Sequence, residues 1–119
     1  MQDDTLTRLL HRFTVTAMAH YQALEEMDEV RANTHAQMIA GLYRSIIGTG
    51  ESGRQALLEL VDDCDPVVAG MAAVYSIRCD SKRCLATLAR VAREPGLLGF
   101  RAQVAIERWK SGEWLGPEE

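Results

Sequence analysis

The sequence predicts an all-α domain of about six helices, folded into antiparallel hairpins that stack as a small α-α superhelix. Three observations lead there. Apolar residues recur at steps of three and four along most of the chain, the period of a helix with one buried face. The stretch 56–77, ALLELVDDCDPVVAGMAAVYSI, reads as two short apolar helices broken by an acidic turn and Asp65-Pro66. A second copy of that pattern follows about 28 residues on, and a period of this size marks stacked helical hairpins.

The first helix is expected over residues 4–27. Asp3, Asp4 and Thr5 supply capping oxygens, and Leu6, Leu10, Phe13, Ala17, Tyr21 and Leu24 make a continuous apolar stripe. Its far end gathers Glu25, Glu26, Asp28 and Glu29, carboxylates that oppose the negative end of the helix dipole, so a solvated turn is expected there. A second helix over 30–47 is expected to bury His35, Met38, Ile39, Leu42 and Ile46. Gly48-Thr49-Gly50 and Glu51-Ser52-Gly53 then read as a helix stop and hinge, since a phosphate-binding loop needs a lysine and a preceding strand. Residues 1–50 thus form a longer hairpin, an atypical first repeat expected to cap the exposed side of the next.

Repeat 1 spans 54–79. Pro66, with its fixed φ and no N–H, suits the first turn of a helix, and Asp65 is placed to cap it, so the preceding helix must stop near Asp63. The helix over 66–79 carries Val67, Val68, Met71, Ala72, Val74, Tyr75 and Ile77, apolar nearly all round, and is the expected central buried helix. Gly70 within it costs roughly 1 kcal/mol of helix propensity, and close approach of a neighbouring helix is the simplest reason for it.

Repeat 2 spans 82–110. Asp80 and Ser81 cap its first helix, whose inward face is Cys84, Leu85, Leu88, Val91 and Ala92. Glu94-Pro95-Gly96 turns the chain into a last helix over 97–110, with Leu98, Ala102, Ala105, Ile106 and Trp109 inward; residues 111–119 are a tail. Leu57 and Leu60 align with Leu85 and Leu88, while Asp65-Pro66, Gly70, Ala73 and Ile77 align with Glu94-Pro95, Gly99, Ala102 and Ile106. The register changes by one residue in the turn, where an insertion is tolerated best.

The leucines of the first helix, the Asp65-Pro66 turn and the Ala72-Ala73 pair of the second resemble a HEAT-type repeat, in the short form of bilin-lyase-like repeat proteins. The resemblance implies a right-handed HEAT-like superhelix. These repeats usually carry an arginine shortly after Asp-Pro; Val67, Val68 and Ala69 stand there instead, so no role of that arginine carries over. Over nearly its whole length, from the opening pattern LTRLLHRF…A…YQALEEMD…N onward, the chain also resembles a family of short bacterial proteins known as a domain of unknown function. That resemblance implies a helical superhelix and a bacterial origin, and brings no site residues; Asn33 fits the pattern as a helix-surface hydrogen-bonding residue.

A chain of 119 residues, 47% hydrophobic, is expected to fold as one domain and to bury roughly two-thirds of its unfolded surface without metals or disulfides. MQDDTLTRLLHRF has neither the basic start nor the apolar run of a signal peptide, and no stretch of about 18 apolar residues occurs, so a cytoplasmic protein off the membrane is expected. Cys64, Cys79 and Cys84 lack the pairing of a disulfide framework; Cys79 and Cys84, spaced CDSKRC, read as small packing residues with reduced thiols.

The net charge of −4 argues against general nucleic-acid binding, yet it is unevenly spread. Residues 1–65 hold 11 acids against 5 bases, residues 66–119 hold 6 acids against 8 bases. Arg78, Lys82, Arg83, Arg90 and Arg93 form a candidate basic ridge without interleaved aromatics for base stacking, and a solvated surface is the simpler account of them. His20 and His35 fall on core-edge faces and His11 on the other side; without a spaced carboxylate or cysteine partner they read as hydrogen-bonding residues, and no metal or cofactor is expected.

Catalysis is not expected either. There is no His-Glu step, which HEAT-type iron hydroxylases use, no long basic groove of the glycosylase members, and no Gly-x-Ser-x-Gly elbow. The most informative feature is a second apolar stripe on the last helix, Leu97, Phe100 and Val104, facing where a next repeat would stand. It is core, or covered by Trp114 and Leu115 of the tail, or an interface in which Leu97, Phe100, Val104 and Trp114 are the apolar contacts and Arg101 and Arg108 the polar rim. The expected function is a protein–protein adaptor or scaffold, whose partner is an unidentified protein or a second copy meeting the last helix. The alternatives are an immunity-type protein that covers a basic toxin with Glu25, Glu26, Asp28 and Glu29, and a weak nucleic-acid binder using the ridge.

Overall fold

A computed structural model describes residues 4–114 and 116. Asp3 and Leu115, expected as a cap and as part of a cover, lie outside the described residues. Among the described residues are six α-helices, one 3-10 turn and no strand. The chain divides into two units, Met1–Leu57 and Leu58–Glu119, each described by itself.

In the first unit, α1 (Asp4–Glu25) and α2 (Glu29–Gly48) pack against each other, and a short link makes them an antiparallel hairpin. The link follows from backbone bonding at the end of α1. The Asp28 N–H donates to the Ala23 carbonyl at 2.9 Å and the Met27 N–H to the Leu24 carbonyl at 3.0 Å, with Met27 left-handed at φ 60°. Asp28 then caps α2 by accepting from the Arg31 N–H at 3.1 Å. The carboxylates that oppose the dipole of α1 therefore stand at the positive end of α2. Glu26 meets the Arg31 guanidinium at 2.7 Å, and that hydrogen bond, then one from Gln22, holds its carboxyl below the ordinary value.

The hairpin core is narrower than the stripes predict. α1 buries Phe13, Thr16, Ala17, His20 and Ala23, while Leu6, Leu10, Tyr21 and Leu24 are half-buried. Small side chains at the centre of that face suit close helix approach. Ile39, Leu42 and Ile46 are buried as expected on α2; His35 is half-buried and Met38, expected in the core, is 41% exposed. Met38 is turned about 100° from Ile39 and so leaves the buried face. The expected hinge is also shorter, because Glu51-Ser52-Gly53 forms the first turn of α3 (Glu51–Glu59). A Cβ on Gly53 would collide with the Ile46 carbonyl and Thr49 Oγ1, which explains the glycine.

In the second unit, the chain leaves α3 through a 3-10 turn, Leu60–Asp62, and enters α4 (Pro66–Ser76). Two aspartates make that corner. Asp63 Oδ1 accepts from the Asp65 N–H at 2.8 Å, and Asp65 Oδ1 accepts from the Val67 N–H at 2.9 Å, with Pro66 opening the helix. α4 buries Val68, Ala69, Gly70, Ala72, Ala73, Tyr75 and Ser76. It stops at Ser76, not at residue 79, and Ile77 follows buried in the turn.

α5 (Ser81–Val91) packs against both α4 and α6 (Gly96–Ser111). Asp80 caps it through the Arg83 N–H, and Cys84, Leu88 and Val91 are buried as the sequence implies, with Leu85 and Ala92 half-buried. Burying a side chain such as Leu88 or Val91 contributes about 1.5–3 kcal/mol each. α6 buries Gly99, Ala102 and Ile106 and half-buries Leu98, Ala105 and Trp109.

The aligned glycines have different reasons. A Cβ on Gly70 would find Val91 Cγ1 at 3.6 Å, an ordinary contact, so the close approach expected there is absent. A Cβ on Gly99 would collide with the Glu94 carbonyl and lie 2.9 Å from the Ala92 carbonyl. Its neighbour is the end of the preceding turn, not another helix.

Candidate interaction surface

The outer face of α6 begins from its sequence. Leu97, Phe100 and Val104 recur at three and four, so they share one side of the helix. Phe100 is 67% exposed, Leu97 and Val104 are half-buried, and Arg101 and Arg108 are exposed. Phe100 is thus not core, and the apolar stripe meets solvent at its middle.

Trp114 does not cover it. The Trp114 ring meets Trp109 edge to face, with centroids 6.1 Å apart and planes at 74°. Phe100 and Trp109 are nine residues apart, which places them on opposite sides of α6 and about 13 Å apart along it. Arg78 completes the Trp109 cluster. Its guanidinium lies 5.9 Å from the Trp109 ring centre and donates to the Trp114 carbonyl at 3.4 Å. The first residues of the tail are therefore folded onto the far end of α6, leaving Phe100 open.

The basic ridge divides by what each cation touches. Arg83 pairs with Asp62 at 2.7 Å, and Arg90 donates to the Val61 carbonyl at 3.0 Å. Thr87 Oγ1 donates to the same carbonyl at 3.2 Å. Val61 lies in the 3-10 turn where the helical ladder runs out, so its carbonyl needs donors from elsewhere, and α5 supplies both. With Arg78 on Trp109, three of the five ridge cations bond within their own unit. Lys82 and Arg93 are exposed. Sequence reasoning missed Thr87 as a buried donor because a threonine in a helix gives no sign of a partner 26 residues away.

In the first unit, His20 is buried, His11 is exposed, and the buried Nδ1 of His35 has no hydrogen-bond partner among the described residues. Such an orphan costs roughly 1–3 kcal/mol. The described residues hold no group of three or more His, Cys, Asp or Glu placed to bind a metal, and none of their helices is long and apolar enough to cross a membrane.

The hairpin tip carries an unforeseen feature. Met27 is 86% exposed and Val30 77% exposed, between Glu25, Glu26, Asp28 and Glu29. Val15 and Met18 of α1 are exposed as well, off the stripe that the period picks out. Compared with protein-family models, with curated proteins and with solved structures, the chain matches none.

Proposed function

We propose that this chain is a non-catalytic protein–protein interaction module, a small adaptor or scaffold of HEAT-like helical hairpins acting in the bacterial cytoplasm. The observation that carries the reading is Phe100, an aromatic side chain 67% exposed on the open face of α6. Leu97 and Val104 flank it and Arg101 and Arg108 border it, an apolar centre with a polar rim. Trp114, committed to Trp109, stands outside the contact. Leaving such a face in water forfeits about 25 cal/mol per Å² of the apolar area a partner would cover.

The test is solution mass by light scattering over a dilution series, with the unsubstituted chain and the Phe100→Asp/Val104→Asp variant. A dimer lost in a folded variant supports a second copy as the partner. A monomer at all dilutions, combined with partner capture that the double substitution leaves unchanged, would sink the reading.

A second reading is favoured by the hairpin tip. Met27 and Val30, exposed among carboxylates, suit the immunity-type role of covering a basic toxin. Its test is capture of a basic nuclease, expected to fail with Glu25→Lys/Glu29→Lys; capture that persists removes the tip from the contact. The nucleic-acid reading retains Lys82 and Arg93 as exposed cations whose other roles are not engaged, and requires affinity that falls steeply with salt.

A further inference from the structure

Cys79 and Cys84 bracket the first turn of α5. Asp80 is the N-cap, its carboxylate accepting from the Arg83 N–H at 3.1 Å, so Cys79 occupies the position just before the cap and Cys84 the fourth residue of the helix. Hydrophobic side chains at those two positions often pack together across the first turn of a capped helix, the arrangement of a hydrophobic staple. The two sulfurs differ in access: Cys79 is exposed and Cys84 is 0% exposed. Burial first, then the charges of Asp80 and Cys79, pushes the Cys84 thiol up to about 11, in keeping with Cys79 standing close by. Cys64 is remote from the pair. It precedes α4, whose 11 residues, about 16 Å of helix, separate it from Cys79.

We infer that Cys79 and Cys84 form a dithiol oxidation site, at which a peroxide converts the pair into an intramolecular disulfide across the first turn of α5. Cys79 attacks as its thiolate: its Sγ bonds to one peroxide oxygen, the O–O bond breaks, and the leaving hydroxide takes a proton to become water. The Cys79 sulfenic acid is then attacked by Cys84 Sγ. The S–S bond forms, the S–O bond breaks, and the departing hydroxide leaves as water with the proton of Cys84. Two thiols lose two electrons and one hydrogen peroxide becomes two waters. Access assigns the order, because the exposed Cys79 meets the peroxide and the sheltered Cys84 waits for the sulfenic acid that forms there. The disulfide draws the Cys84 sulfur from the core of α5 towards the turn that also carries Arg78, the residue on Trp109.

The experiment treats the folded full chain with hydrogen peroxide at neutral pH, blocks remaining thiols, digests with trypsin and weighs the fragments. Cleavage after Arg78, Lys82, Arg83 and Arg90 places each cysteine of the pair on its own peptide. The expected species is fragment 79–82 joined to fragment 84–90, lighter by two hydrogen atoms than the two alone. It should be lost in Cys79→Ser and retained in Cys64→Ser. In Cys84→Ala, a sulfenic-acid trap should label Cys79. The decisive reading is on the unsubstituted chain, so a variant that fails to fold leaves it intact. Peroxide-treated folded protein whose two fragments stay separate overturns the proposal, as does a link that forms only after unfolding in urea.

Discussion

α4 and α6 align as the second helices of the two repeats that the sequence predicts, yet they live in different surroundings. α4 packs against the 3-10 turn, α5 and α6, and seven of its residues are buried: Val68, Ala69, Gly70, Ala72, Ala73, Tyr75 and Ser76. α6 buries Gly99, Ala102 and Ile106 and leaves Phe100 open. Composition already separates them, since α4 has no charged residue and α6 carries Arg101, Glu107, Arg108 and Lys110. What composition leaves open is which apolar side chains of α6 are covered, and Phe100 is not. The exposed aromatic on α6 therefore marks the face on which an association test should concentrate.

The comparison breaks most sharply with a charge. Val68→Asp places a carboxylate in a site 1% exposed and should destabilise the protein by about 4 kcal/mol or more, read as loss of the cooperative urea transition. A folded Val68→Asp protein would mean that α4 is no more central than α6.

α5 lies against both helices, and its buried thiol gives a pH signature. Cys84 is held protonated to about 11 in the folded chain and titrates near 9.0 once unfolded. Between those values the folded state binds the extra proton, so its stability is fully present below pH 9 and falls as pH rises through the window. The loss is at most roughly 2–3 kcal/mol, and urea midpoints under reducing conditions should fall less steeply over that range in Cys84→Ala. Equal slopes would show that Cys84 does not stay protonated in the fold.

The aligned glycines sharpen the contrast in opposite directions. Gly99→Ala drives a Cβ into the Glu94 carbonyl and should cost roughly 2 kcal/mol, lowering the urea midpoint. Gly70→Ala meets only an ordinary contact with Val91 and improves helix propensity, so a gain of about 0.5–1 kcal/mol is expected from thermal unfolding. Two losses of equal size would mean that the glycines serve one purpose after all. The smallest effect is on the open face. Phe100→Asp should change monomer stability by less than about 0.5 kcal/mol, measured in urea, because its ring is already wet. A large loss there would return Phe100 to the core.

Most of the helix boundaries were legible because they rest on local chemistry. Asp65, Pro66 and Asp80 act within three residues of themselves, by capping or by a fixed φ, and the structure uses each where the pattern implies. The hinge after α2 was misread for a related reason. Glycine commonly stops a helix, and only the nearby Ile46 carbonyl reveals that Gly53 instead starts one in tight quarters. Of the candidate surface, Phe100 was legible as part of a stripe, but its exposure was not, since the stripe fits core, cover and interface equally well.

The residues alone determined an all-helical chain, where most of its helices begin and which sides of them are apolar, because propensity, periodicity and capping act over a few neighbouring residues. The tertiary structure decided which apolar sides are covered and which cations are engaged. Val61 receives its donors from Thr87 and Arg90, 26 and 29 residues on, and Trp114 settles on Trp109 instead of Phe100. Such partners depend on where distant segments pack, and an unfilled carbonyl or an uncovered ring leaves no trace in the order of the residues.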